Sequence, residues 1–181
     1  VITGAGDGGG SVISAAAELI TEDLVKQLKS RSGAAPDLAI THHRARTLKV
    51  RLYTNDVVLV PFPDWLTVAT ARGLADPQSD LDFPLRGPFR AKRDPVTPAN
   101  VAAVQLAKIA LLLPAVITVP ISDEGGAGSG GTHDLLSVPA DAVLDYELSA
   151  AGKLSQVTAA RVPIEGAENT RILAFRSPDG G

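Results

Sequence analysis

The stretch from Thr97 to Ile121 limits the possible folds most sharply. Thr97 offers a capping hydroxyl, and Pro98 follows at the first helical position, where a missing N–H costs no hydrogen bond. Val101, Val104, Ile109 and Leu112 then fall on the apolar side of a helix expected to run to about Leu112. Pro114 ends it, because the residue before a proline is pushed toward extended geometry, and Ala115–Ile121 reads as a buried strand. A helix feeding directly into a buried strand points to an α/β domain, here of the α+β kind with a mixed sheet and packed helices.

Other elements are expected on both sides. Thr21 can cap a helix whose first turn carries Glu22 and Asp23, favourable against its partial positive charge, and whose apolar face is Leu24, Val25 and Leu28; Gly33 and Pro36 stop it. Arg51 to Phe62 reads as a strand or hairpin, with Asn55-Asp56 as its turn and Val57 to Val60 as a buried run. Asp64 is expected to start a short helix toward Ala75, with Trp65 as a core or domain-contact anchor. Asp123 to Gly131 is a glycine-rich loop, and Pro139 is expected to begin a helix through about Ser149 that Gly152 ends. Gln156 to Ile164 and Thr170 to Arg176 read as paired strands.

With 181 residues, 45% of them hydrophobic, the chain can bury one sizeable core, or one domain and an appendage. A net charge of −3 gives no basic footprint for nucleic acid. The longest apolar run, Ile109 to Ile117, counts Pro114 and stays well short of the roughly 18 residues of a membrane span. Neither nucleic acid nor membrane is therefore an expected partner. No secretory signal is visible, and a cytoplasmic location is expected. The chain has no cysteine, which excludes disulfides and thiol catalysis.

Three histidines are present, of which His42 and His43 are adjacent and would point to opposite faces of a strand, while His133 stands alone near Asp134. No two share a ligand spacing, so no structural metal is expected. Basic residues gather at Arg86, Arg90, Lys92 and Arg93, and at His42, His43, Arg44, Arg46, Lys49 and Arg51. Such runs serve either as a phosphate subsite or, more simply, as a solvated surface.

Several blocks occur in an order that identifies a relationship. Ala16-Ala17-Glu18-Leu19-Ile20-Thr21, then Leu74-Ala75-Asp76-Pro77 with Phe83-Pro84-Leu85-Arg86, then Ala103 to Ala110 with Pro114-Ala115-Val116-Ile117, resemble 3,4-dihydroxy-2-butanone 4-phosphate synthase. In many bacteria that domain precedes GTP cyclohydrolase II in one bifunctional riboflavin-pathway polypeptide. Ala159-Ala160-Arg161-Val162-Pro163 and Arg171 to Arg176 resemble the opening of the cyclohydrolase part. The resemblance implies a synthase-like α/β domain over residues 1–153 and a strand-rich tail over 154–181. It also implies a homodimer, with the active site near its interface, and a fused or associated cyclohydrolase II.

The positions that would carry the family's chemistry depart from its pattern. Its acidic, metal-binding loop falls on Thr3 to Val12, where Asp7 is the one carboxylate and stands in place of an Arg. Its metal-binding His falls on or beside Ala99, its late Glu on Pro120, and its cysteine has no counterpart. Mg²⁺ wants hard oxygen ligands near octahedral geometry, and Gly, Ala and Pro provide neither side-chain ligand nor proton acceptor. The expectation is a retired catalyst with no cofactor, kept as a structural, dimerisation or regulatory partner of a cyclohydrolase II. The alternative is an active synthase converting ribulose 5-phosphate to dihydroxybutanone phosphate and formate. That would need Mg²⁺ on Asp7, Asp123 and Glu124, with Arg86 or Arg90 on phosphate.

The glycine-rich start has a weaker reading of its own. Thr3 to Gly10 matches Gly-x-Gly-x-x-Gly, with Gly4, Gly6 and Gly8 placed to let backbone amides approach a pyrophosphate at a helix N-terminus. A nucleotide-binding module would follow only if a strand precedes the loop and a helix opens after it. The Tyr-x-x-x-Lys pair of short-chain dehydrogenases is missing, since Val57 follows Tyr53 and Ala150 follows Tyr146 at that spacing.

Overall fold

Burial of the central strands on both faces decides where the helices sit. The computed structural model describes residues 1–4, 10–63, 66–82, 87–121 and 134–177. The chain divides into two compact units, Val1–Leu144 and Asp145–Gly181. In the first unit, β1 (Ile2–Gly4), β2 (Ser11–Ala16), α1 (Glu22–Ser32), β3 (Asp37–Thr41) and α2 (His42–Thr47) come first. They are followed by β4 (Val57–Pro61), α3 (Val68–Ala75), α4 (Pro98–Ile109), β5 (Ala115–Ile121), β6 (Ser137–Pro139) and α5 (Ala140–Leu144). The described strands form one sheet in the order β4-β3-β5-β2-β1-β6. Its pairs are antiparallel apart from β1 with β6, so the sheet is mixed, as expected.

Because successive side chains in a strand point to opposite faces, Leu38 and Ile40 of β3, Val58 and Val60 of β4, and Ile117 and Val119 of β5 fall on one face. There they pack with Val25 and Leu28 of α1 and Ala71 and Leu74 of α3. The other face presents Ala39, Val57, Leu59 and Val116 to Ala99, Ala103, Val104 and Ala107 of α4. Small residues on that side of α4 let the helix lie close to the sheet, and α5 packs behind it through Ala102, Ala140 and Val143.

The local signals act as read at several points. The Leu24 amide donates to Thr21 Oγ1 at 3.2 Å, and Gly33 ends α1 in the left-handed conformation. Thr97 caps α4 through the Asn100 amide at 3.3 Å, with Pro98 in the first turn. β5 spans the expected residues.

Elsewhere the structure corrects the reading. The late helix ends at Ile109 rather than Leu112, because Leu111 takes a φ of 57° and turns the chain early toward Pro114. No strand occupies 51–56; pairing begins at Val57, while the run Val57 to Val60 is buried as expected. The helix toward Ala75 starts at Val68 with Thr67 as its cap, and both Asp64 and Trp65 lie outside the described residues. His42 and His43 open helix α2 instead of sitting on a strand, because the Thr41 hydroxyl accepts from the Arg44 amide and caps that turn. Pro139 closes strand β6, and the helix expected through Ser149 is broken at Asp145.

The second unit holds α6 (Tyr146–Gly152) and an antiparallel hairpin of β7 (Ser155–Arg161) and β8 (Arg171–Arg176), the paired strands expected from the tail. Its register shifts between Gln156 and Thr158. Val157, Leu173 and Phe175 are about half exposed, at 53%, 45% and 52%.

Candidate functional site

One end of the sheet gathers the described positions where the resemblance looks for chemistry. Gly4 closes β1 and pairs with Ser11 at the start of β2, Val12 pairs with Pro120 near the end of β5, and Ser11 pairs with Ile121. The first turn of α4 is tied to the same end, since Thr3 Oγ1 donates to the Ala99 carbonyl at 2.9 Å and both residues are fully buried. Ala99 and Pro120 thus stand at the helix start and the strand end, and they carry a methyl group and a ring at the positions where the resemblance expects a His and a Glu. Ser32 donates its hydroxyl to the Pro120 carbonyl, so that backbone oxygen is engaged as well.

The glycines of the first loop have structural duties that the sequence does not distinguish from ligand binding. A Cβ on Gly4 would lie 2.7 Å from Ser11 Oγ, and Gly10 has a φ of 72°, a left-handed conformation suited to glycine. The chain that follows Gly10 is strand β2, running antiparallel to β1. A phosphate-binding glycine loop needs a helix N-terminus at this point, so the nucleotide-binding reading of Gly4, Gly6 and Gly8 loses its geometric basis. Gly6 and Gly8, like Asp7, Arg86, Asp123, Glu124 and His133, lie outside the described residues.

Arg90 is exposed in the segment that precedes α4. Its neighbours in the two basic clusters do more than face water. Lys92 Nζ donates to Asp37 Oδ2 at 2.7 Å, and its backbone amide donates to the Leu59 carbonyl at 2.8 Å, so residue 92 is pinned along the edge strand β4. Asp37 is buried at the start of β3; burial pushes its carboxyl above the usual range and the charge of Asp94 adds to this, while the Lys92 hydrogen bond and charge pull it back down. Arg51 and Arg93 both lie over the Tyr53 ring, 5.6 and 5.4 Å from its centroid. Arg44 is buried, and its guanidinium donates to Asp80 and to the carbonyls of Leu74, Gly73 and Asp76.

The Asp37–Lys92 pair is the feature that sequence reading missed. One signal was available: a carboxylate directly before the apolar run Leu38-Ala39-Ile40 is expensive to bury and calls for a counter-charge. Among the described residues no group of three or more His, Asp or Glu side chains is placed to hold a metal ion. Ala99 and Pro120 offer no side-chain ligand to an octahedral Mg²⁺, and the Thr3 hydroxyl is engaged by the Ala99 carbonyl.

No protein-family model matches the chain. Its sequence is 42% identical over 168 residues to a GTP cyclohydrolase-2 of Azospirillum brasilense, covering 91% of this chain and 43% of that protein, so the chain spans less than half of that relative's length. Among solved structures, a two-domain 3,4-dihydroxy-2-butanone 4-phosphate synthase from A. baumannii aligns with 98% of this chain and 62% of its own at a TM-score of 0.61 and 13% identity. The Candida albicans synthase aligns with 81% of this chain and 90% of its own at 0.58 and 21%. A synthase in complex with two magnesium ions aligns with 85% and 93% at 0.59 and 16%. The resemblance read from the ordered blocks is thus upheld by the architecture: this chain has the fold of 3,4-dihydroxy-2-butanone 4-phosphate synthase, on a sequence related to part of a GTP cyclohydrolase-2.

Proposed function

We propose that the chain is a synthase-like domain of the riboflavin pathway that has given up turnover and serves a GTP cyclohydrolase II as a structural, dimerising or regulatory partner. The observation that carries the loss of turnover is the pair Ala99 and Pro120: they stand at the end of the sheet where the resemblance expects His and Glu, Ala99 buried at the start of α4 and Pro120 exposed near the end of β5, and neither side chain can ligate or move a proton. The partner role is supported by the relationship to a cyclohydrolase-2 and by the half-exposed apolar residues of the β7–β8 hairpin, since an isolated two-stranded hairpin is marginal in water and gains from being covered. On this reading residues 154–181 open the cyclohydrolase part, the protein works as a cytoplasmic homodimer, and the C-terminal side meets the second enzyme.

Turnover of ribulose 5-phosphate by the purified chain with Mg²⁺, followed as formate release, tests the proposal. A folded sample that releases no formate supports it. Metal-dependent release that Asp7→Ala or Glu124→Ala abolishes would instead establish an active synthase with relocated ligands. The partner role is tested separately, by comparing GTP turnover of the cyclohydrolase with and without this domain; equal rates and equal assembly states would sink it.

A further inference from the structure

At the opposite end of the strands from the Gly4–Ser11 pairing, the first turn of α2, the residues before β4 and the side of α4 carrying Val101, Gln105 and Lys108 line a cleft of about 420 Å³. His42 and His43 line it from α2, Asn55 and Asp56 from the approach to β4, and Gln105 and Lys108 from α4. The two imidazoles meet edge to face, with centroids 5.9 Å apart and planes at 86°. The Nδ1 atoms of both already face partners within the fold. That of His42 lies 3.1 Å from the Thr54 carbonyl, which only an N–H can satisfy, and that of His43 lies 3.5 Å from an Arg46 nitrogen, which can only donate. Each ring is therefore held in orientation on one side, and Nε2 is the polar atom it has left for a ligand. In this arrangement His43 Nε2 carries a proton and is a donor. Lys108 stands across the cleft, and among the described residues no carboxylate pairs with its ammonium.

We propose that this cleft is a binding site for a phosphomonoester with a hydroxylated body. Lys108 and His43 supply a cation and an N–H for phosphate oxygens, a combination that favours an anion over a neutral ligand. Asp56 would repel a bare phosphate, but its carboxylate, with Asn55 beside it, is an acceptor for hydroxyl groups. The same side chains thus distinguish a polyol phosphate from the free ion. The charged and titratable groups that line the cleft with His42 are His43, Asp56 and Lys108, and Arg46 lies against His43. The site lies away from Ala99 and Pro120 and is independent of whether turnover survives there.

Titrations of the whole chain with inorganic phosphate and with glycerol 3-phosphate, read from the imidazole resonances of His42 and His43, decide the matter. The expected result is saturable binding, at least fivefold tighter for glycerol 3-phosphate. Lys108→Gln should weaken both ligands at least fivefold, while the control Lys153→Gln changes neither. Asp56→Asn should tighten inorganic phosphate and erase the preference for glycerol 3-phosphate. Shifts that never saturate, or that Lys108→Gln leaves unchanged, would overturn the proposal, as would equal binding of the two ligands by the unaltered chain. All three substituted positions are exposed, so folding of the variants is not at stake.

Discussion

Thr3 and Ala99, 96 residues apart in sequence, are joined by a 2.9 Å hydrogen bond from the threonine hydroxyl to the alanine carbonyl in a fully buried setting. The bond fixes where α4 begins relative to the strand that leads into the glycine-rich loop. Thr3→Val keeps the shape and removes the donor. It should cost about 1 kcal/mol, as expected for one neutral buried hydrogen bond, seen as a lower midpoint in thermal or urea unfolding with an unchanged circular dichroism spectrum.

Arg44 anchors α2 to the end of α3, donating to the carbonyls of Leu74, Gly73 and Asp76 as well as to Asp80. Lysine can replace the charge but not the planar fork. Arg44→Lys is expected to lose about 3 kcal/mol, because several acceptors are left unpaired in a buried place. A urea midpoint equal to that of the unaltered chain would contradict the structural role and return Arg44 to the exposed basic surface.

Asp37 gives a pH signature with a definite sign. Its carboxyl is raised in the folded state, so the fold holds that proton more tightly than the unfolded chain does. Its contribution to stability is fully present below the unfolded carboxyl value and is lost as pH rises through the folded one. The difference in unfolding free energy between the chain and Asp37→Asn, measured from pH 7 down to pH 4, should therefore shift in favour of the unaltered chain as pH falls. A difference that stays constant over this range would show that Asp37 titrates normally.

Leu111 is 94% exposed and holds a φ of 57°, so its side chain contributes little burial while its Cβ strains the turn between α4 and β5. Leu111→Gly should stabilise the chain by about 0.5–1 kcal/mol, the relief of the left-handed strain outweighing the added freedom of the unfolded chain. Calorimetry would register this as a higher Tm.

How much of this was readable in the residues depended on how locally each element is encoded. The α4–β5 passage was legible because Thr97, Pro98 and Pro114 fix their own boundaries within a few residues, and α1 likewise through Thr21 and Gly33. Strand β3 was not: it is five residues long, opens on a carboxylate, and owes its place to β4 and β5, its partners on either side. Helix α2 was missed for a related reason, since six residues give no periodicity to read. At the candidate site, the departure of Ala99 and Pro120 from the resembled pattern was visible in the residues themselves. The burial of Arg44 and the Lys92–Asp37 contact were not, because charge alone does not say which cations turn inward.

The pairing of Ile2, Thr3 and Gly4 with Ile13, Val12 and Ser11 holds the two strands in register on both sides of the link between them. Since the entropy of closing such a link changes slowly with its length, residues can be exchanged or inserted there while the ladder stays intact. The ladder and the link it carries can then vary separately. A library of loops grafted between Gly4 and Ser11 is a practical way to ask whether metal-dependent chemistry can be installed at this end of the sheet.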